Sequence, residues 1–283
     1  MSALDRRMNL RNAVLAYTVG NRPDTALLHV DQTHPFFFDH PLDHVPGLLL
    51  LEGAVQAAQN SAQAPCFVSR ITAEFIQYTL FDSPILVSSR SQDRDGRELC
   101  IVDITQDDTL RARIEVELTR MVKPMPHRRP PGPLRALPPC AGAPLNKHRA
   151  ENVLITTPVI TDTQIEARLL PLSQDCLFAD TTQAVHPLYL LEAFMQVQRY
   201  LNATQDGDQR IRDILTGVSI EQTAPIPDLS DGVYLRGARE FAPIGRGRMS
   251  RSAWLYAAQK PFAKCAIHTA RVQRRAKTPQ GET

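Results

Sequence analysis

Two stretches of this chain, 140 residues apart (192 − 52), repeat one pattern, and the repetition restricts the fold more than any other feature. VPGLLLLEGAVQAAQ begins at Val45 and carries Glu52 and Gln56. VHPLYLLEAFMQVQR begins at Val185 and carries Glu192 and Gln196. Each joins a proline-containing turn to an apolar run and a Glu-x-x-x-Gln pair. Proline is favoured at a helix start, where its missing N–H costs nothing. Each stretch therefore predicts a long helix. An aromatic piece precedes each, FFFDH at 36–40 and CLFAD at 176–180, and reads as strand-like.

After each helix the sequence turns to β-type. CFVSRITAEFIQYTL, SPILVSSRSQ and ELCIVDITQDDTLRARIEVELTRM follow the first. ILTGVSIEQTAPI, GVYLRGAREFAPI, SRSAWLYAAQ and AKCAIHTARVQ follow the second. Alternating apolar and polar residues with β-branched enrichment predict half-buried antiparallel strands. Between the halves lies KPMPHRRPPGPLRALPPCAGAPLNK, with eight of the 22 prolines, which predicts an extended semi-rigid connection. The expected organisation is α+β and duplicated: a first domain at 1–123, a linker at 124–147 and a second domain at 148–283. One helix per half is naturally wrapped by its sheet.

Composition narrows the function classes. With 32 basic and 30 acidic residues, no basic field points to nucleic acid. The start, MSALDRRMNLRNAV, lacks the apolar run of a signal peptide, and no segment approaches the roughly 20 apolar residues of a membrane span. Five cysteines, an odd number without CxxC spacing, fit reduced thiols in a cytoplasmic protein and give no metal framework. Nucleophile-elbow, P-loop, dinucleotide and zinc-protease motifs are absent, and no cofactor is expected.

Several residues stand out as candidates. Glu52, Gln56 and Gln59 form one helical stripe, repeated as Glu192, Gln196 and Arg199. Such a stripe either faces water or lines a cleft; in a cleft, desolvation is expected to raise the glutamate pKa toward the acid–base range. His40 reads either as a turn histidine or as a site residue; Asp43 and His44 share its loop, and His34 reads as an ordinary loop residue. Gly47 either permits a tight turn or opens the helix start to a ligand as an oxyanion hole, with the Leu188 N–H at the corresponding place. Arg239, Arg246, Arg248 and Arg251 form a basic cluster that reads as a solvated hairpin tip or a phosphate grip.

PFFFDHPLDHVPGLLLLEGAVQAAQ resembles the first motif of the A-factor biosynthesis (AfsA-type) family, double-hotdog proteins linked to γ-butyrolactone or butenolide-type signal synthesis. It is more distantly similar to 3-hydroxyacyl-thioester dehydratases, with Pro35, Phe36, Phe37, His40, Pro46, Gly47 and Glu52 matching in order. The second motif departs: Asp180 is aligned with His40, and His186-Pro187 replaces Pro46-Gly47. The resemblance implies a tandem double hotdog in which His40 faces Glu192 while Glu52 faces Asp180. The catalytic candidates are thus His40, Glu192, Glu52 and Asp180. Gly47, Leu188, Arg199, Gln56 and Gln196 are the substrate-binding candidates. The implied activity moves a β-ketoacyl chain from an acyl carrier protein or CoA thioester to a three-carbon phosphate hydroxyl, that of dihydroxyacetone phosphate. Dehydration, thioester hydrolysis and non-catalytic acyl binding are the alternatives. No nucleic acid or membrane partner is expected, and pairing into a homodimer is left open.

Overall fold

The computed structural model describes residues 7, 9–17, 24–62, 65–94, 97–121, 137–171, 176–180, 184–204, 211–226, 229, 232–245 and 247–273. In the first lobe these form β1 (Leu15–Ala16), β2 (Thr25–Leu28), α1 (Gly47–Ser61), β3 (Cys66–Phe75), β4 (Ile85–Arg94), β5 (Arg97–Gln106) and β6 (Thr109–Arg120). The second lobe contains β7 (Val159–Ile160), β8 (Gln164–Arg168), α2 (Pro187–Thr204), β9 (Ile211–Gln222), β10 (Tyr234–Ala238), β11 (Ala242–Gly245), β12 (Arg248–Ala257) and β13 (Lys260–Gln273).

All strands join one antiparallel sheet, ordered β1-β2-β4-β5-β6-β3-β9-β13-β12-β10-β8-β7, with β11 alongside β12. The order is the same read inward from either end. β3 of the first lobe pairs with β9 of the second, from Arg70↔Glu221 to Glu74↔Gly217. A Cβ on Gly217 would lie 2.7 Å from the Ala73 carbonyl oxygen, so a glycine is required for the seam to close. The hairpins β5–β6 and β12–β13 turn through consecutive left-handed residues, Asp107-Asp108 and Ala258-Gln259, matching the twist of the strands they join.

Each half of the sheet curls around its own helix. In α1, Leu49, Leu50, Leu51, Ala54, Val55 and Ala58 are buried; in α2 the first turns are buried almost all round, from Leu188 to Val197. A helix apolar on nearly every side is stable only when wrapped. No described helix is long and apolar enough to cross a membrane.

Two local expectations change. The aromatic pieces are not strands. Residues 35–38 form turns, and Leu177–Ala179 is a 3-10 helix. The first turn is held by buried His34, whose Nδ1 accepts from the Phe36 and Phe37 N–H groups at 3.2 and 3.3 Å. Satisfying these N–H groups locally frees the rings to pack, Phe36 meeting Phe178 edge-on at 4.8 Å. Of the proline-rich segment, residues 122–136 lie outside the described residues. Residues 137–147 are packed rather than extended: Cys140 and Leu145 are buried, and Ala143–Leu145 forms a 3-10 turn.

Candidate functional site

The Glu-x-x-x-Gln stripes do not face water. Each is covered by a strap of chain, and the two straps are related by the same 140-residue offset as the helices. Gln56 accepts from the Val14 N–H at 3.0 Å and donates to the Asn12 carbonyl at 2.8 Å. Gln196 accepts from the Leu154 N–H at 2.9 Å and donates to the Asn152 carbonyl at 2.8 Å. Each glutamine thus pairs with its strap as another strand would, satisfying backbone groups that burial would otherwise leave unpaired.

Each strap is then locked to the opposite lobe by an aspartate. Asp39 accepts from the N–H groups of His148 and Arg149 at 2.7 and 3.0 Å and from Asn152 Nδ2 at 2.9 Å. Asp180 accepts from the Asn9 N–H and from Asn12 Nδ2, both at 3.0 Å. By its bonds Asp180 is therefore the counterpart of Asp39, not of His40, and the alignment is corrected by one residue. The position equivalent to His40 lies outside the described residues.

Each strap also delivers a cation to a buried glutamate. Arg7 binds Glu52 Oε1 through Nε at 2.8 Å and also donates to the Leu177 and Asp180 carbonyls. The expected Glu52–Asp180 pairing is not formed, because the Arg7 guanidinium stands between them. His186 Nε2 lies 3.6 Å from Glu52 Oε2, while its Nδ1 accepts from the Leu188 N–H at 3.2 Å. That bond occupies the N–H expected to serve as a second oxyanion donor. Burial and the Arg7 charge push the His186 pKa down to about 3, so its imidazole is neutral.

The other glutamate stands in a different setting. Glu192, Lys147, Arg199, His40, Gly47 and Asn146 all line one cavity of about 220 Å³, walled by Phe36, Phe37, Leu48, Leu51, Phe75, Met195, Leu215 and Val218. Lys147 Nζ lies 3.0 Å and Arg199 Nη1 2.7 Å from Glu192 Oε1, with Gln196 Nε2 at 3.3 Å. The Lys147 ammonium also lies over the Phe36 ring, 5.3 Å from its centroid.

The expectation of raised glutamate pKa values fails in both clefts. Burial pushes Glu192 upward, but the Arg199 and Lys147 charges outweigh it and hold the carboxyl near 2. At Glu52 burial again pushes upward, and the Arg7 charge with the Gln56 hydrogen bond brings the group below its ordinary value. Both are carboxylates at neutral pH. His40 is shifted the other way for a base: burial, then Lys147 and Arg199, lower its pKa, so the ring is neutral. Asn146 Nδ2 lies 3.0 Å from His40 Nε2, and His40 Nδ1 is buried with no hydrogen-bond partner among the described residues. Because an asparagine amide can present either its oxygen or its nitrogen, Asn146 can fix either tautomer.

Gly47 opens α1 at the same cavity. Pro46 provides no side-chain cap, so the N–H groups of Gly47 and Leu48 are left without intrahelical acceptors. A Cβ at Gly47 would lie 3.1 Å from the Phe75 ring, so the glycine also allows that ring its place. His44 lines the cavity and bonds Asp43 at 2.6 Å, whereas His34 is bonded to Asn12 and the backbone away from it. The basic cluster does not converge on this site. Arg251 is buried against Gln198 and the Phe241 ring, Arg248 lies 3.9 Å from Glu74, and Arg246 is outside the described residues. A larger hollow of about 890 Å³, along the polar flank of α1 and Ser89–Ser91, is lined by Arg7, Gln56 and Gln59 and by no histidine among the described residues.

Lys147, Asn146 and Arg7 were not singled out from the sequence. RMNLRNAVL at 7–15 and KHRAENVLI at 147–155 share a cation, an asparagine five residues on and an apolar run, at the helix offset of 140. That alignment is the signal that could have found them.

Comparison with known proteins agrees with this architecture. Residues 6–122 match the A-factor biosynthesis hotdog domain. A 2-oxo-3-(phosphooxy)propyl 3-oxoalkanoate synthase of Streptomyces virginiae is 38% identical over 92 residues, 31% of this chain and 31% of that protein. The matched region thus spans about a third of the length of the curated relatives. Over the whole chain the likeness is one of fold. A hot dog fold protein from Alicyclobacillus acidocaldarius superposes with a TM-score of 0.60 at 9% identity, covering 95% of this chain and all of that one (100%). The dehydratase domain of PpsC from Mycobacterium tuberculosis, solved with C12:1-CoA, gives 0.57 at 17% identity, covering 92% and 98%. The first lobe therefore matches the A-factor biosynthesis hotdog domain, and the second repeats its fold to complete a double hotdog.

Proposed function

We propose that the chain is an acyl-thioester enzyme that transfers a β-ketoacyl group to the hydroxyl of dihydroxyacetone phosphate, with its chemistry in the cavity between His40 and Glu192. The observation that carries this reading is the convergence of a neutral imidazole, an ionised carboxylate holding two cations, and a helix start with free N–H groups on one apolar-walled cavity. The likeness of the first lobe to a synthase named for that product supports it.

In this mechanism His40 takes the proton of the attacking hydroxyl as its oxygen bonds to the thioester carbonyl carbon. The Gly47 and Leu48 N–H groups face the developing oxyanion at the positive end of α1. Collapse breaks the carbon–sulfur bond, and the thiolate leaves with the proton held by His40. Glu192 orients Lys147 and Arg199 and moves no proton itself. Gln56 and Gln196 act by holding the straps in place. The cleft of Glu52 and Asp180 is a structural joint, so each chain has one working site. Dehydration would ask Glu192 to give a proton to a leaving hydroxyl, and a carboxyl held near 2 does not carry one at neutral pH. The two halves are divided at residues 124–147, the thioester comes from an acyl carrier protein or CoA, and the reaction belongs in the cytoplasm.

The test incubates the purified chain with a 3-oxoacyl thioester and, separately, a 3-hydroxyacyl thioester, each with and without dihydroxyacetone phosphate, and identifies products by mass. Ester formed only from the 3-oxoacyl donor with the phosphate acceptor is the expected result. Loss of water from the 3-hydroxyacyl thioester, or free acid without acceptor, overturns it.

A further inference from the structure

We infer that Lys147 and Arg199 form a single anion seat, tethered by Glu192, that takes the phosphomonoester of the acceptor. The inference rests on the transfer reaction above for the acceptor's identity, but not for the seat. Two cations sit on one carboxylate oxygen, at 3.0 and 2.7 Å, so one positive charge remains uncompensated in this trio. The duplicate cleft provides the control within the same molecule. There Arg7 faces Glu52 alone, His186 is neutral, and position 59, 140 residues before Arg199, is glutamine. The extra cation belongs to the cleft that His40 borders.

Among the described residues no second carboxylate is bonded to either cation. Asp39 lines the cavity, but its oxygens are taken by two backbone N–H groups and Asn152, as those of Asp180 are by the other strap. Asp43 is bonded to His44. His40 is neutral, for burial and then the two cations disfavour its protonation. The two cations also differ in placement. Lys147 is 6% exposed and Arg199 32% exposed, so the ammonium sits within the cavity wall and the guanidinium at its mouth. Among the described residues only Nη1 of Arg199 is engaged, which leaves Nε and Nη2 to face an incoming anion. A phosphate dianion can receive the planar fork of an arginine and the point charge of a lysine together.

The same chemistry could be offered by a phosphate of the thioester donor. The test therefore uses a 3-oxoacyl N-acetylcysteamine thioester, which carries no phosphate, with either dihydroxyacetone phosphate or dihydroxyacetone as acceptor. Arg199→Gln copies the duplicate cleft and keeps the Lys147–Glu192 pair, so the fold survives; a melting curve checks this. We expect KM for dihydroxyacetone phosphate to rise about 10- to 100-fold, the range of lost charge-assisted hydrogen bonds, and the preference for dihydroxyacetone phosphate over dihydroxyacetone to fall by the same factor. Lys147→Gln should add to the loss. Calorimetric titration with inorganic phosphate should show the same order. Equal losses with both acceptors, or a loss confined to CoA-borne donors, overturns the acceptor assignment. If no transfer occurs with any variant yet Arg199→Gln abolishes phosphate binding, the seat stands and the proposed reaction falls. Undiminished phosphate binding in both variants removes the seat.

Discussion

Arg7 and Lys147 stand at the same point of two related straps, over the same glutamate of two related helices, yet one ties its carboxylate to the opposite lobe beside a polar hollow and the other lines the apolar-walled cavity that His40 borders. The difference comes from a few side chains. Beside Glu52, the Arg7 guanidinium reaches across to two carbonyls of the second lobe, and His186 fills the place that Pro46 leaves open on the other side. Beside Glu192, the shorter reach of lysine leaves that space free, with His40 and the uncapped start of α1 on its border. Duplication made two equivalent frames, and burial of charge then asked each for a partner. One frame answered with a joint and the other with a site.

The largest effect that could break this comparison is on rate. His40→Ala should lower transfer about 100- to 10,000-fold, the worth of a positioned base, without lowering the melting temperature much. Arg7→Ala should do the reverse. It strands a fully buried carboxylate, at a cost of about 3–5 kcal/mol by urea unfolding, while turnover per folded molecule holds. A variant of Arg7 that stays stable but loses turnover would assign chemistry to the wrong cleft in our reading.

Next in size is the pH dependence of stability. His34 and His186 have pKa values of about 4 and about 3 when folded, against about 6.5 unfolded. The unfolded chain therefore binds more protons between these limits. Stability is full above about pH 6.5 and falls as pH drops, by about 1.4 kcal/mol per unit for each histidine. Glu52 and Glu192 add a further loss below about pH 4.5, because their folded pKa values are depressed. Denaturant midpoints measured from pH 4 to 8 check this slope; a flat profile would contradict neutral buried imidazoles.

The smallest effect sharpens the working cleft. His40 acts as a base and its pKa is lowered, so the acid limb of kcat/KM should lie below pH 6.5. Removing a positive neighbour by Arg199→Gln should move that limb toward higher pH. A limb unchanged by the substitution would separate His40 from the two cations.

The helices, the strands and the duplicated plan were legible in the sequence, since apolar periodicity and proline placement are local properties of the chain. The stripe of Glu192, Gln196 and Arg199 was legible for the same reason. Its surroundings were not. Whether such a stripe meets water, a strap or a cavity depends on residues 45 to 152 positions from Glu192, as Lys147, Asn146 and His40 show. The first aromatic piece was misread as a strand because His34 offers its N–H groups a local acceptor, which no alternation of residue types reveals.

What the sequence by itself determined is therefore two wrapped helices in a repeated frame, because hydrophobic burial follows the period of each element. What only the tertiary structure decided is which glutamate is neutralised by a joint and which retains an excess of positive charge beside a histidine. Electrostatic fields inside a fold follow distance in space, and the strap that sets them is brought over each helix only when the lobes close.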